Sequence, residues 1–155
     1  GNGGRGVLVT HAGDGNLASM VELLTDNEQS WCIAQRYEAA ITETGDKRII
    51  LVDGEVRGWF SRIPGKEDHR GNMHVGARVE ACDLTERDLE ICAGISERLR
   101  AEGLLFTGID VIGDSLTEIN VTSPTGIREV ARLQGRDLAA EICESASVLS
   151  AERQR

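Results

Sequence analysis

Three polar side chains near the end of one hairpin-like stretch are the residues best suited to do chemistry. Asp110 and Glu118 lie on either side of residues 113–115, and Asn120 follows Glu118 by two positions. If residues 113–115 form the turn, Asp110 faces Glu118 across the hairpin. Because side chains alternate along a strand, Asn120 shares the face of Glu118. The sequence therefore predicts two carboxylates and an amide on one face of a hairpin.

The same turn places Ile112 opposite Leu116 and leaves the other face mostly apolar, with Ile109, Val111, Thr117 and Ile119. Two carboxylates directly opposite each other repel, and a hard cation would remove that conflict. Two carboxylates and an amide oxygen are ligands that Mg²⁺ takes when it also holds phosphates. A solvated polar face explains the spacing equally well, so both interpretations stay open on the spacing alone.

Four arginines lie in or beside one polar, glycine-containing segment: Arg48, Arg62, Arg70 and Arg78. Residues 64–78 show no hydrophobic period, which predicts a long loop of the kind that forms lids or binding loops. We expect residues 63–78 to be mobile without ligand. Guanidinium groups bind phosphate and carboxylate through two hydrogen bonds, so an anionic ligand is indicated. Salt bridges to surface carboxylates are the alternative.

Two further segments could meet an anion through backbone N–H groups. Residues 1–6, GNGGRG, match neither a Walker A motif nor a dinucleotide-binding fingerprint, and a plain turn explains them as well. Ser123 and Pro124 are predicted as the cap and first residue of a helix. The N-terminus of that helix would attract an anion, although ordinary capping is the simpler explanation.

The elements that would position these groups indicate an α+β fold with an antiparallel sheet. Strands are predicted at residues 7–10, 31–35, 47–52, 56–63, 104–112 and 116–121, with a tight turn at 53–55. Helices are predicted at residues 16–25, from Thr85 to Gly103, and from about Pro124 to the end with an interruption at Gly135. Thr85 and Asp88 have the spacing of a reciprocal helix cap.

Composition excludes several classes of function. Seventeen basic and twenty-six acidic residues give a net charge of −9, without the basic stripe of a nucleic-acid-binding surface. No apolar run reaches the length of a membrane span, and no secretory signal is visible. The cysteines Cys32, Cys82, Cys92 and Cys143 lack metal-ligand spacing, so we expect buried, reduced thiols in a cytoplasmic protein.

Read together, several stretches resemble the C-terminal half of bacterial-type glutathione synthetase, an ATP-grasp ligase. They are GNGGRGV, AQRY, GDKRIILVDGE, SRIP followed by HRGN, and above all GIDVIGDSLTEINVTSPTGIRE. The resemblance implies an ATP-grasp catalytic domain with a largely antiparallel sheet and flanking helices. Residues 1–40 would be the remainder of the small lid subdomain, with a glycine-rich loop and an adenine hinge. Residues 41–155 would be the C-terminal catalytic domain.

The resemblance also implies a role for each matching residue. It implies that Mg²⁺, or Mn²⁺ in its place, is bound by Asp110, Glu118 and Asn120. ATP would be held by the glycine-rich loop and hinge, at Gly1, Gly3, Gly4, Gln35 and Tyr37. The catalytic residues would be Arg48, Arg62, Arg70 and Asn72, the last two in a loop that shields the intermediate from water. Ser123 and Thr125 would lie near the substrate carboxylate.

The reaction implied is the ATP-dependent joining of γ-glutamylcysteine to glycine through an acyl phosphate. Two lysines of the family pattern and the N-terminal domain are absent from this sequence, so we expect the 155-residue chain to be inactive alone. Expected partners are these small molecules, the missing domain and, in the full-length protein, further copies of the chain. Two alternatives are another ATP-grasp carboxylate–amine ligase and a non-catalytic nucleotide-binding module.

Overall fold

The structure is a computed structural model that describes residues 6–65 and 78–152. The chain divides into two compact units, Gly1–Ala39 and Ala40–Arg155. Their assignment as the lid and catalytic parts of an ATP-grasp domain stays a prediction. Within the described residues, none of the helices is both long and apolar enough to cross a bilayer.

The described part of the first unit contains one helix, α1 (Leu17–Leu24), as its apolar spacing predicts. The strands predicted at residues 7–10 and 31–35 are wrong, because neither segment pairs with another in the described part of this unit. Hydrophobic side chains there are exposed: Trp31 fully, and Ile33 to 87%. Apolar composition favours a strand, but only hydrogen bonding to a neighbouring strand makes one.

In its described residues, the second unit is built on a five-stranded antiparallel sheet of order β3-β2-β1-β4-β5. The strands are β1 (Asp46–Val52), β2 (Glu55–Ile63), β3 (Arg78–Glu80), β4 (Phe106–Ile112) and β5 (Ser115–Asn120). A short helix, α2 (Ala40–Glu43), precedes β1 and was not predicted. The antiparallel sheet with flanking helices confirms the predicted α+β class.

The turn between β1 and β2 fixes the centre of the sheet. Asp53 and Gly54 both have positive φ, 51° and 70°, as a two-residue turn matched to strand twist requires. Helix α3 (Glu86–Ala101) packs beside this turn, with Ser96 Oγ donating to Gly54 O at 2.6 Å and Arg100 Nη1 to Asp53 O at 3.0 Å. The helix is thereby fixed along β1.

Two hydrophobic clusters cover the two faces of the sheet. On one face, Ile49, Leu51, Ile109 and Val111 of the sheet pack with Ile91, Cys92 and Leu99 of α3. On the other, Ile50 and Phe60 pack with Val130 and Leu138 of the C-terminal helices α4 (Ile127–Gln134) and α5 (Leu138–Glu152). The second cluster covers only part of its face, and charged residues occupy the rest.

The C-terminal helices confirm one prediction and correct another. Gly135 separates them with φ of 68°, as expected from its position in the apolar pattern. However, α4 begins after Gly126, and no side chain caps it, so Ser123 and Pro124 are not its cap and first turn. The Gly126 backbone has φ of 123°. That conformation excludes residue 126 from the helix, and therefore the helix starts later than the Ser-Pro pair suggests.

The cysteines are free thiols. Only Cys92 is buried; Cys82 is half-buried, and Cys32 and Cys143 are exposed, contrary to the expectation of buried thiols. Burial, and then the charge of Asp88, raise the pKa of Cys92 to about 11. Its thiol is therefore protonated at neutral pH and acts as a packing group.

Helix α3 begins with the predicted reciprocal cap. The Thr85 side chain accepts a hydrogen bond from Asp88 N, and the Asp88 carboxylate accepts one from Thr85 N. The same carboxylate oxygen accepts a hydrogen bond from Lys47 Nζ at 2.5 Å. Burial acts to raise the pKa of Asp88, but the hydrogen bonds from Lys47 and Thr85 outweigh it and hold the pKa below its usual value.

We expect Asp88→Asn to lower the free energy of unfolding by about 1–3 kcal/mol at neutral pH, because a buried charged acceptor is lost. A carboxylate with a depressed pKa stabilises the fold above its unfolded pKa, and this contribution disappears as pH falls through the folded value. The difference from wild type should therefore shrink in acid. Urea unfolding at several pH values measures it, with Glu97→Gln, an exposed carboxylate on the same helix, as control. Equal loss at all pH values would contradict the role given to the charge.

Candidate active site

The hairpin of β4 and β5 pairs Asp110 with Glu118, as the sequence predicts, but by a different route. The turn has two residues, Gly113 and Asp114, so the predicted pairing of Ile112 with Leu116 is wrong. Ile112 instead pairs with Ser115. A register shift between Asp110 and Val111 then restores the predicted pair.

Thr117 is the extra residue at this shift. Val111 pairs with Leu116 and Asp110 with Glu118, which leaves Thr117 between them as a β-bulge. Its hydroxyl donates to the carbonyl of Asp110 at 3.0 Å. The predicted apolar face is therefore only partly right, because Thr117 occupies the bulge and Ile119, on the edge strand, is 44% exposed.

A buried network of ion pairs surrounds Asp110. Arg48 donates from Nε to Asp110 Oδ1 at 2.6 Å and from Nη2 to Asp110 Oδ2 at 3.1 Å. Arg62 lies 2.9 Å from Asp110 Oδ2 through Nη2. It also donates to both carboxylate oxygens of Asp46, from Nε at 2.8 Å and from Nη2. All four side chains are buried, so the charges are compensated within the protein.

The burial and charges of this network shift the pKa values of its side chains. Burial raises the pKa of Glu118, and the charge of Asp110 and a hydrogen bond between the two carboxyl groups raise it further. Burial also raises the pKa of Asp46, against the opposing effect of Arg62. For Arg62 burial acts to lower the pKa, but hydrogen bonding and charge from Asp46 and Asp110 outweigh it, so its pKa is raised.

The residues present fit a divalent cation. A carboxylate offers about four lone-pair sites, of which the arginines take three at Asp110. A cation between Asp110 and Glu118 would relieve the repulsion that contributes to the raised pKa of Glu118. The terminal amide of Asn120 has a buried nitrogen without a partner among the described residues. Rotating that amide exchanges nitrogen for a ligating oxygen.

Among the described residues, no group of three or more His, Cys, Asp or Glu side chains is arranged to hold a metal. The candidate metal ligands Asp110, Glu118 and Asn120 are not such a group, because Asn120 offers an amide oxygen. Asp110 is directly bonded to two arginines, whereas Glu118 lies on the exposed edge strand. Glu118 is therefore the carboxylate that a cation can reach most easily.

The segment after β5 is connected to the network by one hydrogen bond. Arg48 Nη1 donates to the carbonyl of Thr125 at 3.1 Å. Ser123 and Thr125 are exposed on either side of buried Pro124. The structure thus brings this predicted substrate segment next to the predicted metal ligands.

The remaining predicted residues belong to other segments of the chain. Gln35 and Tyr37 belong to the first unit, in a segment without regular secondary structure, and Tyr37 is 45% exposed. Arg78 forms an exposed ion pair with Glu80 at 3.3 Å. For this arginine the structure agrees with the alternative interpretation, a salt bridge to a surface carboxylate. Outside the described residues lie Gly1, Gly3, Gly4, Arg70 and Asn72, together with most of the predicted loop.

Sequence reasoning missed Asp46, which contributes one carboxylate to the network. Alternation along β1 places Asp46 and Arg48 on the same face, opposite the face that packs on α3. In the antiparallel pairing, Asp46 lies opposite Arg62 and Arg48 opposite Asp110. The sequence does contain a signal for Asp46, because it lies two positions before the predicted site residue Arg48 and so shares its face of the strand.

Comparison with known proteins decides the family. Residues 1–135 match the family model described as the prokaryotic glutathione synthetase, ATP-grasp domain. The chain belongs to this family. The match covers residues 1–40, the second predicted unit up to Gly135 and all the candidate site residues, and it ends at the glycine that separates α4 from α5.

Individual glutathione synthetases are also similar to the chain. That of Mesorhizobium japonicum is 53% identical over 140 residues, which are 90% of this chain and 44% of the relative. That of Thermosynechococcus vestitus is 51% identical over 142 residues, 92% of this chain and 44% of the relative. That of Synechococcus elongatus is 53% identical over 135 residues, 87% of this chain and 42% of the relative. The chain thus spans less than half the length of these prokaryotic glutathione synthetases.

Proposed function

We propose that the whole gene product joins γ-glutamylcysteine to glycine at the expense of ATP, and that this chain supplies its metal-binding and catalytic part. The observation that carries the proposal is the Asp110–Glu118 pair beside Asn120, set among buried arginines, in a chain of the glutathione synthetase ATP-grasp family. Relatives with that name are about half identical over nearly all of this chain.

The proposed chemistry begins with transfer of the γ-phosphoryl group of ATP to the dipeptide carboxylate. The amine of glycine then attacks the acyl phosphate, an amide bond forms, and phosphate leaves with one former carboxylate oxygen. Negative charge accumulates on the transferring phosphoryl group and on the tetrahedral centre. The chain must therefore gather positive charge and exclude water at this place.

Asp110, Glu118 and Asn120 would hold Mg²⁺, or Mn²⁺ in its place. The ion would neutralise phosphate oxygens and orient them for in-line transfer. Asp110 would be kept ionised and fixed in position by its arginine partners, and Glu118 would supply the exposed ligating oxygen. Burial and the charge of Asp110 raise the pKa of Glu118 without the ion, and a bound cation would oppose the effect of that charge.

Other residues would bind the organic substrates. Ser123 and Thr125 would contact the dipeptide carboxylate from the segment that Arg48 holds against the site. Arg62 would face the phosphates, and Arg70 and Asn72 would close over the acyl phosphate. Gly1, Gly3, Gly4, Gln35 and Tyr37 would bind ATP. The protein would act in the cytoplasm, as a homo-oligomer.

Two other functions make different demands on the same residues. Another ATP-grasp ligase would use the metal site unchanged and accept a different amine. A non-catalytic nucleotide-binding module would not need the carboxylate pair. The buried charge network favours a ligase, because maintaining four desolvated charges costs stability unless function requires them.

We expect the purified gene product to release ADP only when ATP, Mg²⁺, γ-glutamylcysteine and glycine are all present, and to form glutathione in equal amount. The isolated 155-residue chain is the matched control and should form none, because it does not supply all the groups that position the substrates. Coupled ADP release and mass spectrometry of the product measure both. ADP release with an amine other than glycine would favour the alternative ligase. Binding of ATP without turnover would favour the module.

A further inference from the structure

Gly108 lies on β4 between the site residues Arg48 and Asn120, although it has no side chain that could bind a ligand. In the sheet it pairs with Ile50 of β1 on one side and Asn120 of β5 on the other. Its backbone lies outside the positive-φ region, so flexibility is not what this position requires. The requirement is space. A Cβ atom there would lie 2.8 Å from Pro124 Cβ and 3.2 Å from Arg48 Nη1, both closer than ordinary contact.

The space above Gly108 is filled by Arg48 and Pro124. Arg48 starts one strand away, on β1, and its guanidinium group contacts the Asp110 carboxylate with two nitrogens and the Thr125 carbonyl with the third. The side chain is only 7% exposed, so its hydrogen bonds to Asp110 are shielded from water. Pro124, itself buried, covers the same glycine from the segment after β5.

This arrangement adds a hydrogen-bonded link between two parts of the site. The segment of residues 122–126 has no strand or helix of its own, and α4 begins after it without a side-chain cap. One planar guanidinium group reaches both this segment and Asp110, which lysine, with a single nitrogen, does not. Arg48 therefore fixes the distance between Asp110 and the backbone of Thr125.

We propose that Gly108 and Arg48 are positioning residues, which set residues 122–126 against Asp110 by letting one guanidinium group lie across β4. The proposal rests on the proposed function in that Ser123 and Thr125 are taken to contact the dipeptide. It assigns a role to Gly108, and it gives Arg48 a task that needs no contact with phosphate.

The test is Gly108→Ala in the whole gene product, with Gly94→Ala as the matched control. Gly94 lies on the exposed side of α3, and a Cβ there meets nothing within 4 Å. We expect Gly108→Ala to lower kcat/KM for γ-glutamylcysteine by about ten- to a hundredfold, as for a small displacement of a binding group. The KM for ATP should stay within roughly twofold, because only one substrate is displaced. Gly94→Ala should match wild type in both.

Hydrogen exchange of the Val130 amide, which donates to the Gly126 carbonyl of this segment at 3.0 Å, provides a readout that does not depend on turnover. Gly108→Ala should accelerate exchange there by about tenfold, because the segment loses its connection to the network. Arg48→Lys should do the same and serves if Gly108→Ala does not fold. Unchanged exchange in the variant that folds overturns the proposal, whether or not activity falls. Accelerated exchange in a gene product without ligase activity would support the positioning role and reject the proposed function.

Discussion

Replacing Glu118 with glutamine is expected to lower magnesium-dependent turnover by about a hundredfold or more, while the free energy of unfolding stays at or slightly above that of wild type. Turnover falls because glutamine keeps the shape of the side chain but removes the charge that would hold the cation. Losing one group that stabilises charge in the transition state typically lowers turnover by about a hundredfold or more. The fold should not suffer, because the Glu118 pKa is raised by burial and by Asp110. A carboxylate with a raised pKa is less stable ionised in the folded protein, so neutralising it costs the fold nothing at neutral pH.

Steady-state kinetics over a range of magnesium concentrations measures this expectation, and urea unfolding of the same variant measures stability. Asp114→Asn is the control, because Asp114 is an exposed carboxylate in the turn of the same hairpin. It should match wild type. Turnover of the Glu118→Gln variant within a few-fold of wild type, with the same magnesium dependence, would remove Glu118 from the metal site.

The largest effect on stability is expected at Arg62. Its guanidinium group bonds to both Asp46 and Asp110, and all three side chains are buried. Arg62→Met keeps much of the side-chain volume and leaves two desolvated carboxylates short of a cation. Breaking a buried pair in this way costs about 3–5 kcal/mol, because Asp46 loses its cation while Asp110 keeps only Arg48.

Arg57→Met is the matched control for this prediction. Arg57 lies on the same strand, and its ion pair with Glu55 is exposed, so its loss should change unfolding by less than about 1 kcal/mol. Denaturant unfolding of both variants at neutral pH makes the comparison. If the two cost equally little, the buried network does not hold the site together in the way inferred from its distances.

The hairpin of β4 and β5 shows what local sequence can predict. Alternation placed Asp110, Glu118 and Asn120 on one face, and the pairing of Asp110 with Glu118 is confirmed. The turn was predicted one residue too long, and only the bulge at Thr117 keeps the pairing. A bulge depends on the fit between strands and leaves little trace in the sequence of one of them. The pair was therefore predicted correctly from an incorrect turn.

Long-range pairing is the part that the sequence did not provide. Asp46 enters the site only because β1 lies between β2 and β4, an order that no single segment encodes. The same holds for residues 31–35, whose apolar character predicts a strand that the described part of their unit does not pair. By contrast, the cap of α3 depends on residues three positions apart, and it was predicted correctly.

The most direct test of the proposed ligase follows one oxygen atom through the reaction. The whole gene product would be given ATP, Mg²⁺, glycine and γ-glutamylcysteine labelled with ¹⁸O in the carboxylate that reacts, and the phosphate released would be analysed by mass spectrometry. Transfer through an acyl phosphate predicts one ¹⁸O atom in each phosphate, because the carboxylate oxygen that attacks ATP leaves with the phosphoryl group. Unlabelled phosphate formed together with glutathione would contradict the account.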